Sequence, residues 1–351
     1  MATAAAGSGL SVLPDAADAA LEASLAALTS SGRDHAELAF VFVSGDGHGQ
    51  AHALLHAVRR VTGARAVIGC SGAGVLTERA EVEGDTAVAV LVVSDDRLTA
   101  APFLVDDLAA AGDEAGPQIA RRVAEAVFQG GCVMVMPDAR GLDPRALLNR
   151  LDDALGFVPL IGAVAAGMPL FELFNTDAEQ GALVGVALAG EEPAIGVAQG
   201  CMPIGEPFVI TGADETVVRT IGSRPALEIL KEAIDTLPDA QARIQRAGVF
   251  AGLAMDPAKS PLERGDFLVR NLVGVDPSSG AIAVAETVKV GQTIQFQIRD
   301  AIAARDDLEA TLSRVAAALA GRRPLFGCYF NCAGRGRGLF GVPDHDVTLI
   351  R

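Results

Sequence analysis

The chain has no tryptophan and a single tyrosine among its 351 residues, and aromatics make up 4% of it. Any core must therefore be assembled from Ala, Val, Leu and Ile, which suits many short buried strands. Basic residues are also in short supply: 28 Lys and Arg stand against 44 Asp and Glu, for a net charge of −16. Such a surface repels phosphate backbones and anionic lipid, so neither a nucleic acid nor a membrane is expected as a partner. No apolar run reaches the roughly 18 residues of a membrane span. The start of the chain, "MATAAAGSGLSVLP", lacks a basic n-region and does not read as a signal peptide. Five cysteines are an odd number in a long chain, which points to reduced thiols and a cytoplasmic location rather than a disulfide framework. No G-x-x-x-x-G-K-[ST] sequence is present, so a P-loop is excluded.

Half of the residues are hydrophobic, and 39 glycines and 17 prolines punctuate them. A chain of this length usually divides into two domains. Residues 1–13 read as a loose leader, and Pro14-Asp15 opens an Ala-rich helix through about Leu28. "ELAFVFVSG" reads as a buried strand, "AHALLHAVRRVTG" as a helix ended by Gly, and "ARAVIGC" as the next strand. "DTAVAVLVV" and "LTAAPFLV" form an expected strand pair around "SDDR". A helix near 114–128, the strand "GCVMVMP" and a helix opened by Asp143-Pro144 follow. After a composition break near 214–222 come a helix in "SRPALEILKEAIDTL", a hairpin across "DPSSG", a long helix from about 301 and the strand "PLFGCYFNCAG". The expected fold class is α/β: two domains with mixed parallel and antiparallel sheets flanked by helices. "AVIGCSGAGVL" (66–76), "PLIGAVAAGMPL" (159–170) and "PLFGCYFNCAGRG" (324–336) share one plan, an apolar run meeting Gly, small residues and Gly again. Three copies, each preceded by a helix, point to a repeated strand-helix unit.

The loop "CYFNCAGRGRGLFG" spells G-x-G-x-x-G at its end, but Pro343 stands where a phosphate-capping helix should begin, so no dinucleotide and no other cofactor is expected. Alternate glycines free backbone N–H groups for an anion, and Arg335 and Arg337 add planar forks suited to a carboxylate. The same arginines could instead pair with Asp344 and Asp346. Cys70, Ser71 and Gly72, in "GCSGAG" at a strand end, could contact a ligand through thiol, hydroxyl and N–H groups, or Cys70 could simply pack. Cys328 and Cys332 lack enough further Cys or His for zinc, and His48, His52 and His56 read as a polar helix edge, so no metal is expected.

These residues carry a resemblance. "FVFVSGDGHGQAHALLHAV", "VIGCSGAGVL", "GAVAAG" and the "FNCAGRGRGLFG" loop with its following "PDHD" resemble the FIST family, from about residue 36 to 351. The resemblance implies a FIST N-terminal domain over 31–214, after a leader and helix over 1–30, and a FIST C-terminal domain over 215–351. In similar proteins that second domain continues past the "DHD" stretch, so it is expected to be truncated here. The family implies a bacterial sensory, signal-transducing module that binds small ligands such as amino acids. On this reading a small-molecule ligand, an amino acid or other carboxylate, meets Cys70, Ser71, Gly72, Asn331, Cys332, Arg335 and Arg337. Small residues at Gly69 to Gly72 and Gly162 to Gly167 allow close approach, and the signal passes to a protein partner. No catalytic residue is expected. The alternatives are a cysteine-dependent hydrolase or acyl-transfer enzyme using Cys70 or Cys332, and an interaction scaffold without a ligand.

Overall fold

The computed structural model describes residues 4–128, 130–138, 140, 144–190, 192–238, 248–256 and 258–351. They form two compact units: Met1–Ala194 with Arg322–Arg337 and Val342–Arg351, and Ile195–Gly321 with Gly338–Gly341.

The first unit is built twice over from one plan. The first copy runs β1 (Ala5–Ser11), α1 (Ala16–Ser31), β2 (Leu38–Ser44), α2 (Ala51–Thr62), β3 (Ala66–Gly72), a hairpin of β4 (Gly74–Leu76) and β5 (Glu81–Glu83), and β6 (Ala87–Ser94). The second runs β7 (Ala100–Val105), α3 (Ala115–Phe128), β8 (Cys132–Pro137), α4 (Pro144–Leu155), β9 (Leu160–Gly162), a hairpin of β10 (Glu172–Phe174) and β11 (Asp177–Glu179), and β12 (Leu183–Leu188). The strand orders are β1-β6-β2-β3 and β7-β12-β8-β9. In each, only the last pair is parallel. The second hairpin then extends the first sheet, because β10 pairs with β3.

Strand alternation sets the layers. Ala39, Val41, Val43, Val67, Val88, Val90 and Val92 pack beneath α1 and α2. Val133, Val135, Leu183 and Ala187 pack beneath α3 and α4. The opposite faces, with Leu38, Phe40, Ile68, Met134, Met136, Val184 and Val186, share a third apolar layer. Burial on both faces explains why these strands read as continuous apolar runs.

Caps define the helices. Asp15 accepts from the Ala17 and Asp18 N–H groups at the start of α1, and Gly32 (φ 67°) and Gly63 (φ 65°) end α1 and α2 in the left-handed region. Asp143 lies outside the described residues. His52 and His56 are exposed on α2, while His48 stands in the turn before it. No helix among the described residues is long and apolar enough to cross a membrane.

Three expectations change. Residues 5–11 are a strand, not a leader, pairing with β6 along their length. Their glycines permit it: a Cβ on Gly7 would lie 2.3 Å from Ser31 N and one on Gly9 2.0 Å from Ala23 O. β6 and β7 do not pair with each other, because the turn closed by Leu98 N–H to Asp95 O carries the chain from one sheet to the other. Pro324–Phe330 forms no strand among the described residues, although Phe326, Cys328 and Phe330 enter the layer between the sheets at alternate positions.

The second unit contains β13 (Met202–Pro203), β14 (Phe208–Asp214), β15 (Val217–Ile221), β16 (Arg224–Pro225), α5 (Ala226–Asp235), β17 (Val249–Ala254), β18 (Phe267–Asp276), β19 (Ala281–Val284), β20 (Thr293–Ile298) and α6 (Ala301–Leu319). β17 pairs with both β18 and β20, so the antiparallel circuit β20-β14-β15-β19-β18-β17 closes on itself. Ile210, Val218, Ile221, Leu253, Ile282 and Phe296 belong to its core. The β18–β19 hairpin turns across "DPSSG" as its sequence expects, with Asp276 accepting from Ser278 and Ser279. Position 214/215 falls at the turn between β14 and β15. With both parallel and antiparallel pairs and flanking helices, the chain is α/β.

Candidate functional site

Ligand sites in α/β proteins gather at the carboxyl ends of parallel strands. In the first unit those ends carry Cys70 to Gly72 on β3, Asp138 just past β8, and the Ala163–Pro169 loop after β9.

Cys70 faces the layer between the sheets, with 7% of its surface exposed. Its register partner on β10 is Glu172, which is fully buried. Leu173 points to the helix side, so Glu172 shares the inner layer with Cys70. Asp138 follows Met136 in phase on β8 and is 2% exposed. It is held by Arg140 (2.6 Å) and by the Gly181 N–H (3.0 Å). The Ala182 N–H reaches Glu172 Oε2 at 3.4 Å, whereas Glu172 Oε1 has no hydrogen-bond partner among the described residues. Burial first, and the Asp138 charge second, push the Glu172 carboxyl up to about 8. Burial, then Glu172, push the Cys70 thiol up to about 12. Burial there disfavours the thiolate form of Cys70.

Ser71 is engaged on every side: its N–H donates to Phe171 O, its Oγ accepts from Phe171 N–H, and its carbonyl accepts from Ala166 N–H. The N–H read from sequence as half of an anion nest is thus already donated. Gly72 is required by close packing, since a Cβ on it would lie 2.6 Å from Gly74 O.

The hairpin β4–β5 leads from Gly72 to the other group of expected residues. Glu83 accepts from the Arg337 N–H (3.0 Å), and Glu81 accepts from the Val347 N–H (2.8 Å) at the start of α7 (His345–Ile350). Asp344 accepts from the Glu81 N–H at 2.7 Å. Gly336 is buried against Glu83, whose carboxylate a Cβ there would meet at 2.3 Å. Glycine lets the loop settle on the hairpin.

At the centre of this face Arg335 grips Asp346 with two parallel bonds, Nε at 2.7 Å and Nη2 at 2.8 Å, with side chains 7% and 1% exposed. Tyr329 OH donates to the same carboxylate (2.8 Å), Asn331 Nδ2 approaches at 3.4 Å, and His345 Nδ1 lies 2.9 Å away. Burial alone would raise the Asp346 carboxyl. The bonds from Arg335, His345 and Tyr329 outweigh it and hold the group below the usual carboxylate range. Asn331, Cys332, Ala333 and Gly334, which precede Arg335 in the chain, are exposed, as is Arg337. Cys328 is half-buried against the inner layer, where burial and Cys132 push its thiol up to about 12.

The hairpin that follows Gly72 thus reaches the Arg337 N–H, Asp344 and the Val347 N–H. Sequence reasoning missed Glu172, Asp138, Glu81, Glu83 and Tyr329. Only Asp344 and Asp346 were foreseen as partners for the arginines, and Arg335 takes the second.

Comparison with known proteins gives the following. Residues 37–224 match the FIST N domain and residues 226–351 the FIST C domain. An uncharacterized protein of Mycobacterium tuberculosis is 36% identical over 353 residues, covering 98% of this chain and 89% of the relative. An uncharacterized protein of Mycobacterium bovis is 33% identical, covering 98% and 88%. Among solved structures, a cyanuric acid hydrolase from A. caulinodans aligns at 9% identity with a TM-score of 0.29, over 54% of this chain and 72% of that one.

Proposed function

The chain belongs to the FIST family, whose domains are associated with sensory signal transduction, and we propose that it senses a small carboxylate ligand such as an amino acid. The ligand is received where the loop from Asn331 to Arg337 rests on hairpin β4–β5, with Cys70, Ser71 and Gly72 at the inner end. One observation carries this reading: Arg335 holds a carboxylate in a two-bond fork that Asn331, at the start of the exposed Asn331–Gly334 stretch, also approaches. That carboxylate belongs to the chain itself. It stands where a ligand carboxylate would bind, so the ligand competes with Asp346 for the fork, and a ligand ammonium takes up the released Asp346 and Glu81. Displacing Asp346 frees the start of α7 from the loop. A signalling partner reads that change through its differing affinity for the two arrangements.

A thermal-shift screen against the twenty amino acids and simple carboxylates tests this. A ligand at about a hundred times its dissociation constant adds roughly 2.7 kcal/mol. The reading expects a selective shift that Arg335→Lys abolishes, because a lysine cannot reproduce the planar fork. Asp346→Asn, which weakens the internal competitor, should strengthen binding of a simple carboxylate that carries no ammonium group. A cooperative melt with no selective shift, or a shift that survives Arg335→Lys, overturns it.

A further inference from the structure

The internal repeat of the first unit leaves one sheet edge unmatched. Gly162 of β9 and Gly69 of β3 stand at the same point of their parallel pairs, so Leu160, Ile161 and Gly162 correspond to Val67, Ile68 and Gly69. In the first copy this edge is covered. β10 pairs antiparallel with β3 and sets Leu173 opposite Gly69. Asn175 N–H donates to Val67 O (2.7 Å), and Val67 N–H donates to Asn175 Oδ1 (3.1 Å). In the second copy β9 has β8 as its one strand partner among the described residues. Hairpin β4–β5, which repeats β10–β11, pairs only within itself. We propose that a second copy of this chain covers the open edge, β9 pairing antiparallel with β9 across a two-fold axis.

The backbone suits that partner. Val133 N–H donates to Pro159 O (2.9 Å), so the groups of residues 159 and 161 face β8, and those of Leu160 and Gly162 face away from it. Pro159 therefore removes no donor from the open side. A two-fold axis at Ile161 sets Leu160 of each copy opposite Gly162 of the other, and each such pair exchanges both of its N–H···O bonds. The axis stands perpendicular to the sheet, so the helix-covered faces of the two copies lie on the same side of one continuous sheet. One edge serves both copies, as an isologous contact requires.

Charge selects the occupant. Natural sheet edges that stay free are guarded by charged side chains. Residues 156–171 contain no charged residue, in a chain of which 21% is charged. Two chains that each carry −16 repel as they approach, and this edge is where they can meet without setting like charges face to face. The flanks of β9 are apolar and open: Phe157 is fully exposed and Val164 is 52% exposed. The axis at Ile161 brings Phe157 of one copy beside Val164 of the other, so the contact that buries each is supplied by the same chain.

Sedimentation velocity on the full chain over a concentration series reads the association directly, and a reversible dimer is expected. Phe157→Glu and Val164→Glu alter exposed side chains and should leave the fold intact, as circular dichroism checks. Each should weaken association roughly 100-fold, because the symmetry places two carboxylates in an apolar contact. Phe157→Glu combined with Val164→Lys should restore the dimer, since the axis then sets each glutamate beside a lysine. Arg335→Lys, which alters the ligand site, should leave association unchanged. A chain that stays monomeric throughout the series overturns the proposal. So does a dimer of unchanged affinity in both glutamate variants, or one that the paired substitution fails to restore, since the copies would then meet elsewhere.

Discussion

Gly69 of β3 lies so close to Val41 of β2 that a Cβ on it would stand 1.7 Å from the Val41 carbonyl oxygen. The second copy repeats the contact: a Cβ on Gly162 would stand 1.9 Å from Val135 O, at the same point of its parallel pair. Gly69→Ala must push apart neighbouring strands of a buried sheet, and Gly162→Ala must push the edge strand β9 away from β8. Each should lower stability by about 3 kcal/mol, at the upper end of overpacking effects, as read by denaturant unfolding. Gly32→Ala, with nothing within 4 Å of its Cβ but φ 67°, should lose less.

Glu172 predicts a pH dependence of unusual sign. Its ordinary value is 4.5 and the fold pushes it up to about 8. Between those values the folded chain keeps a proton that the unfolded chain has released. Stability contributed by this group is therefore complete at the acid end and declines as pH rises towards 8. Glu172→Gln removes the titration. From pH 5 to pH 8 the variant should gain on the unaltered chain by on the order of a few kcal/mol. Urea unfolding at several pH values checks this; parallel stability curves for the two proteins would contradict it.

The thiols should separate cleanly. Cys332 is exposed, whereas Cys70 and Cys328 are pushed up to about 12 by burial. Iodoacetamide at pH 7.5, followed by mass mapping, should modify Cys332 first and leave Cys70 and Cys328 unmodified until the chain unfolds. Rapid selective labelling of Cys70 would revive the cysteine-enzyme alternative.

Much of the local structure was legible because it is written in local chemistry. The Asp15 cap, the glycines ending α1 and α2, and the Val-rich strands follow from neighbouring residues alone. β1 was not legible, because Ala5 to Ser11 contains almost no strand-favouring residue. It is a strand because small residues fit beneath α1. The separation of β6 from β7 was equally hidden, since "SDDR" suits a hairpin and a sheet-to-sheet turn alike. At the candidate site the arginine and the small-residue strand end stood out, but Glu172 gave no signal in "LFELF". Its meaning comes from standing opposite Cys70, and that pairing is a property of the fold.

Phe326, Cys328 and Phe330 help fill the layer between the two sheets, and Val347 and Asp346 complete the face on hairpin β4–β5. During synthesis from the amino terminus, the unit that leaves the ribosome first therefore lacks some of its interior until residues 322–351 emerge. The closed β-circuit of the second unit draws every strand from a continuous stretch ending well before that. The later-made strand circuit can thus close while the earlier unit still waits for residues 322–337 and 342–351, reversing the usual order of vectorial folding.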